Sequence, residues 1–163
     1  TVINEYGTLC SCGRKGCWEM YVAPLEVVKG VRQVLTLGDE SRLNKMVNGN
    51  LASLTFQQVV DAAQAGDAIA LKAIQDLGSH LGTGILNLVH IFNPEQIILG
   101  GAFGESSALL IPQIKTHMDE YFQVRPARVM SITRSSLGLD ACSMGAATLV
   151  IDQVIRDPLN WLH

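Results

Sequence analysis

An α/β fold follows from three observations on this chain of 163 residues. Long stretches carry apolar residues at three- and four-residue steps, the helical period. Two short apolar runs, around Gln96–Leu99 and Val129–Ile132, have the length and composition of strands. From residue 68 onward the order is helix, strand, helix, strand, helix, which predicts strands buried on both faces between helices.

The elements follow in order. Val2 and Ile3 read as the end of a strand, and Asn4 to Gly7 as a turn into a cysteine-rich loop. From Pro24, which suits the first turn of a helix, Leu25, Val28, Val31, Val34 and Leu35 recur at helical steps. Gly38-Asp39 stops that helix. Residues 39–54 are less regular, with Asn48-Gly49-Asn50 as a turn. Thr55 predicts an N-cap for a helix over Phe56 to Ala65, with Val59, Val60 and Ala63 inward. Gly66-Asp67 closes it and caps the next.

Residues 68–92 form the longest helical pattern, with the stripe Leu71, Ile74, Leu77, Leu81, Ile85, Leu88 and Phe92. Gly78, Gly82 and Gly84 interrupt it, each costing about 1 kcal/mol against Ala. Either a neighbour approaches the backbone closely there or the helix bends. Asn93-Pro94 ends it. Gln96 to Leu99 predicts a short buried strand, followed at once by Gly100-Gly101. A helix is expected from about Ser106 to Phe122, with Leu109, Leu110, Ile114, Met118 and Phe122 inward. After the strand at Val129–Ile132, Gly138 breaks the chain. Asp140 caps a final helix through about Ile155, ended by Pro158.

Composition bounds the class. Hydrophobic residues make up 48% and charged ones 17%, and the net charge is −3, with a pI near 5.7. The chain is therefore neither disordered nor highly charged. The absence of a Lys/Arg-rich run argues against nucleic acid being gripped by this segment itself. No membrane span and no signal peptide are read. The first residue is Thr, so the chain is taken as a piece of something longer.

The chemistry concentrates in Cys10-Ser-Cys12-Gly-Arg-Lys-Gly-Cys17-Trp-Glu19. Three of the four cysteines lie within eight residues. Crowded thiolates repel unless a cation binds them, and Zn²⁺ takes Cys sulfur tetrahedrally. Cys10, Cys12 and Cys17 are the candidate ligands of a structural metal, with one corner left for another donor. Gly13 and Gly16 allow the tight turns. Arg14 and Lys15 favour thiolate. A disulfide with a spare thiol, or a redox pair, are the alternatives; the first is rare in reducing compartments, and the second normally reads C-x-x-C.

Glu19, two residues past Cys17, would be held rigidly at the edge of such a loop. It is a candidate acceptor for paired hydroxyls such as a sugar's, or simply a solvated or capping carboxylate. Gly100-Gly101 after a strand could admit a nucleotide phosphate near a helix start, or form a tight strand–helix turn. His80 and His90, on the long helix, read as packing or surface residues. His117 and His163 have no partner at metal spacing.

These residues resemble the ROK family (repressors, open reading frames, sugar kinases). The cysteine loop matches the family signature C-x-C-G-x-x-G-C-x-E at every defined place. Asn87 to Gly101 is similar to the family's helix, Asn-Pro turn, strand and glycine pair, and Leu137 to Ala147 to its last capped helix. The resemblance implies an actin-like, ribonuclease-H-like ATPase fold in two lobes. Residues 1–163 would supply the second lobe, with a zinc loop at 8–19 and an α/β lobe at 24–157. The N-terminal lobe and any DNA-binding domain would lie outside the chain. It further implies that Cys10, Cys12 and Cys17 bind zinc with a His from an upstream Gly-His pair. Glu19 would hydrogen-bond sugar hydroxyls, and Gly100, Gly101 and Gly145 would line the nucleotide side in a kinase, where ATP and Mg²⁺ bind.

Three functions remain open. A cytoplasmic sugar-sensing repressor is favoured by Gly100-Gly-Ala-Phe, where kinases of the family tend to show a third glycine, by Trp18, and by the tail Arg156 to Trp161. Operator DNA would then be bound through an upstream domain, by a homodimer or larger oligomer. A glucokinase-like sugar kinase is the alternative, inactive as this piece because the catalytic base lies upstream. A zinc-stabilised interaction module is the third.

Overall fold

The computed structural model describes residues 1–122 and 131–157. Eight helices and two strands are seen among them: α1 Glu19–Val22, α2 Pro24–Thr36, α3 Arg42–Met46, α4 Phe56–Gln64, α5 Ala68–Phe92, β1 Gln96–Leu99, α6 Gly101–Glu105, α7 Ser107–Phe122, β2 Ser131–Arg134 and α8 Ala141–Arg156. Short 3-10 turns at Leu51–Ser53 and Gly138–Asp140 complete the order.

Local chemistry sets most boundaries. Pro24 opens α2. The Thr55 hydroxyl accepts from the Gln58 backbone N–H, and the Gln58 side chain returns to the Thr55 N–H, forming a capping box on α4. Asp67 Oδ1 accepts from Ala70 N at the start of α5. Asn93, in the left-handed region at φ 44°, ends α5, one residue before Pro94. Asn48 and Gly49 make the expected turn at φ 49° and 77°.

The core forms where α5 meets α2, α4 and α7. Ile74, Leu77, Leu81 and Ile85 of α5 lie buried with Val28, Val31, Val59, Val60, Leu110 and Ile114. The glycines of α5 answer the question their cost raises. A Cβ on Gly78 would sit 2.4 Å from Gln113 Cβ of α7, and one on Gly82 2.7 Å from His117 Cδ2. One on Gly84 would strike the Trp18 ring at 2.0 Å. The helix approaches its neighbours too closely for side chains at these three places, so close approach, not a loose bend, is the reason for them.

β1 and β2 pair in parallel, with Ile97 opposite Ile132 and Leu99 opposite Arg134. The expectation of strands buried on both faces fails. Leu99 and Ile132 are buried, while Ile98 is 60% exposed. The helices cover one face of the pair, and no described element lies over the other. Four further differences stand out. Val2 makes only an isolated bridge to Cys17. β2 ends at Arg134, two residues past the expected Ile132, and Val129 and Met130 fall outside the described residues. The short helices α3 and α6 had no clear periodic signal. Asp140 precedes α8 without a side-chain capping bond. In the α5 stripe, Phe92 is 71% exposed, beyond the reach of α7. Phe122, Pro158 and Trp161 carry expectations that lie outside the described side chains.

Candidate metal centre

The loop before α1 is folded by its backbone. Gly16 N donates to the Thr8 carbonyl and Ile3 N to the Gly16 carbonyl, while Cys10 N donates to the Arg14 carbonyl at 2.7 Å. Gly13 and Gly16 take φ of 83° and 66°, the left-handed region that glycine enters without strain. A Cβ at Gly16 would lie 1.4 Å from the Asn4 carbonyl oxygen, so this position tolerates no side chain. Both glycines do what the sequence requires of them.

The result gathers three sulfurs. The Sγ atoms of Cys10, Cys12 and Cys17 all lie within 4.8 Å of one another, and Cys12 and Cys17 are 3.4 Å apart. A disulfide needs about 2.05 Å, and the four cysteines are free. Zinc–sulfur bonds of ≈2.3 Å in a tetrahedron put sulfurs roughly 3.8 Å apart, so the donor set fits a thiophilic ion at three corners. Cys10 and Cys17 are buried and Cys12 is exposed.

Electrostatics prepare this site. Hydrogen bonds from the Arg14 backbone and guanidinium, then from the neighbouring thiols, pull the Cys12 thiol down to about 6. Its thiolate in turn, together with burial, pushes Cys17 up to about 11. A negative charge is thus favoured on Cys12 and resisted on Cys17. A bound cation would remove that resistance.

Glu19 begins α1, exposed, two residues beyond Cys17. Among the described residues its carboxylate makes no hydrogen bond. Trp18, between them, sends its indole N–H to the His80 carbonyl of α5 at 2.8 Å. Gly100 and Gly101 lie at the carboxyl end of β1, where Gly101 starts α6 at φ 56°. A Cβ on Gly101 or on Gly145 of α8 would meet nothing within 4 Å. These positions face open space. Phe103 turns inward against Phe56, edge to face at 6.4 Å.

His80 and His90 pack as expected, and His163 lies outside the described residues. The His80 ring lies 4.9 Å from Tyr21, and burial lowers its pKa. His90 Nδ1 lies 2.7 Å from the Leu86 carbonyl, and His117 Nε2 lies 3.0 Å from Thr83 Oγ1.

A groove of about 500 Å³ was not foreseen. It runs between α1, α2 and α5, lined by Met20, Tyr21, Val27, Gly30, Val34 and Ile69 among others. It lies beside α1 but includes neither Glu19 nor Gly100. Its walls come from residues some 40 positions apart, and no local motif marks them.

A match to the ROK family extends over residues 1–153. The chain belongs to the ROK family. A glucokinase of Halalkalibacterium halodurans is 33% identical over 153 residues, covering 94% of this chain and 46% of that protein. A xylose repressor of Bacillus subtilis is 28% identical over 153 residues, covering 94% of this chain and 36% of the repressor. A ROK-family glucokinase from Streptomyces griseus, solved with glucose and AMPPNP, superimposes with a TM-score of 0.82 at 26% identity, covering 91% of this chain and 49% of that one. The chain thus spans half or less of the length of these relatives. Its fold is that of the ROK sugar kinases, the actin-like architecture implied by its motifs.

Proposed function

We propose that this chain is the sugar-sensing effector part of a cytoplasmic ROK-family transcriptional repressor of carbohydrate metabolism. The observation that carries this reading is the gathering of three cysteine sulfurs within 4.8 Å directly before an exposed carboxylate at Glu19. In this reading Cys10, Cys12 and Cys17 hold Zn²⁺ with a histidine from upstream. The ion neutralises the thiolates and stiffens the loop. Glu19 then accepts hydrogen bonds from sugar hydroxyls, which strengthen when the donor faces a charged acceptor. Sugar binding shifts a homodimer or larger oligomer between DNA-competent and released states, operator DNA being bound by a domain outside this chain. The likeness to the xylose repressor supports it.

A sugar kinase is the second reading, supported by the 33% identity to a glucokinase. Gly100, Gly101 and Gly145 would then border ATP·Mg²⁺, and positioning with charge stabilisation would supply most of the catalysis. The full-length protein separates the two. A repressor releases operator DNA on adding glucose, xylose or N-acetylglucosamine and consumes no ATP. A kinase turns over ATP with one of them. Zinc near one per chain is expected by metal analysis, and its absence would sink the metal role of the triad. Glu19→Ala is expected to abolish the response to the sugar; an unchanged response removes Glu19 from the site and leaves the loop a structural module.

A further inference from the structure

We infer that Trp18 is the positioning residue for Glu19, and that Gly84 of α5 is the seat that receives its ring. The inference rests on the sugar-contacting role proposed for Glu19. It starts from what holds that carboxylate. Glu19 is exposed and makes no side-chain hydrogen bond among the described residues, so its own side chain does not fix it. Its place depends on its backbone, and two anchors hold that backbone. Both precede it in the chain: Cys17, a member of the sulfur triad, lies two residues before Glu19, and Trp18 lies next to it.

Trp18 is held at three points. Its backbone N–H donates to the Thr1 carbonyl at 2.8 Å. Its carbonyl accepts from Tyr21 N at 3.0 Å and Val22 N at 3.2 Å, which builds the first turn of α1. Its indole N–H donates to the His80 carbonyl at 2.8 Å. In an α-helix the carbonyl of residue 80 already faces the N–H of residue 84, so the ring lies over that turn. There a Cβ on Gly84 would sit 2.0 Å from Cε2, 2.1 Å from Cζ2 and 2.5 Å from Cδ2. Nothing larger than glycine admits the ring.

Gly84 is not needed for the packing of α5 on α7. Gly78 and Gly82 serve that face, against Gln113 and His117. Glycine weakens a helix interior, and the atoms nearest to a Cβ at Gly84 are those of the Trp18 ring. The metal loop and α5 therefore meet at one ring, directly beside the sugar-binding carboxylate. A displacement of about 1 Å there is enough to misplace a contact of this kind.

The test uses the full-length protein, titrated calorimetrically with glucose, xylose and N-acetylglucosamine, with zinc content measured on every sample. Gly84→Ala is expected to weaken the sugar bound by the wild type about ten-fold or more, with zinc retained. Gly82→Ala adds the same methyl against α7 and is expected to lower the melting temperature while leaving sugar affinity within about three-fold. Trp18→Leu in the Gly84→Ala background makes room again and should recover part of the affinity. If Gly84→Ala fails to fold, Trp18→Phe keeps a ring without the N–H and should weaken binding with zinc retained. Unchanged affinity in Gly84→Ala, or an equal loss in Gly82→Ala, overturns the inference. A Glu19→Ala variant runs alongside. If it binds sugar as the wild type does, or if no sugar binds at all, the sugar-site reading falls and takes this inference with it. If Glu19→Ala weakens binding and the Gly84 and Trp18 variants do not, the positioning role alone is lost.

Discussion

Asp67 joins two segments through one carboxylate. Oδ1 accepts from Ala70 N and caps α5; Oδ2 accepts from the Ser41 hydroxyl at 2.8 Å and Arg42 N at 2.7 Å, tying down the start of α3. Burial works to raise its pKa, but the hydrogen bonds from Ala70, Ser41 and Arg42 outweigh it and hold the pKa below 3.8. A depressed carboxylate pKa means stability present above the unfolded value and lost as pH falls through the folded one. Asp67→Asn should therefore lower the melting temperature at pH 7: Asn caps a helix about as well as Asp, but it loses the charge that strengthens the bonds from Ala70, Ser41 and Arg42. The gap to the wild type should close below pH 3.8. A gap constant from pH 7 to pH 3 would contradict this. The capping role is legible in Gly66-Asp67. The link to Ser41 is not, because the two are 26 residues apart and no local pattern joins them. In the same way the cysteine spacing announces a candidate metal site, while the seat of Trp18 on Gly84 joins residues 66 positions apart in sequence.

At the scale of the element, the glycines of two helices predict opposite outcomes. Gly30 lies inside α2, where a Cβ would meet nothing within 4 Å. Gly30→Ala should stabilise the protein by about 0.5–1 kcal/mol through helix propensity and a less flexible unfolded chain. Gly78 lies inside α5, where the same methyl would sit 2.4 Å from Gln113 Cβ. Gly78→Ala should destabilise despite the same propensity gain, since overpacking costs about 1–3 kcal/mol. Urea titrations of both variants check the signs; a stabilised Gly78→Ala would show that α7 yields there. The helices α2, α4 and α5 were legible because their periods, caps and stops are local. α3 and α6, each five residues long, are too short to show a period. For β2 the composition places Ile132 in a strand, and the pairing with β1 carries that strand on through Thr133 and Arg134, residues whose polar side chains gave no strand signal.

At the scale of the whole molecule, α8 stands apart. None of its residues is buried, and Met144, Leu149, Val150, Ile151 and Ile155 are 50–73% exposed. Among the described elements its main contact is with the 3-10 turn before it. By length and composition alone, the segment Gly138–Arg156 is long and apolar enough to cross a membrane, at a mean hydropathy of 1.2. It also carries the Asp152–Arg156 ion pair at 2.9 Å. A helix without tertiary burial keeps little of its stability. In the isolated chain, α8 amides should exchange with solvent within the fastest class, orders of magnitude ahead of those in the middle of α5. Equal protection of the two by hydrogen-exchange mass spectrometry would refute this. The same exposure explains the failed expectation for the sheet: Ile98 and the apolar side of α8 are composed for burial, yet no described residue covers them.

The sequence by itself determined the helices with local caps and periods, the order of elements, the ROK signature and the residue types of the candidate metal site. These depend on neighbours a few positions away, where propensity, capping and spacing act directly. The tertiary structure decided that three sulfurs meet within 4.8 Å, that Gly84 receives Trp18, that one face of the strands stays open and that a groove forms beside α1. Each of these is a contact between distant segments, fixed by how closely packed surfaces fit, and close packing leaves no trace in local sequence beyond a glycine whose cost has no local reason.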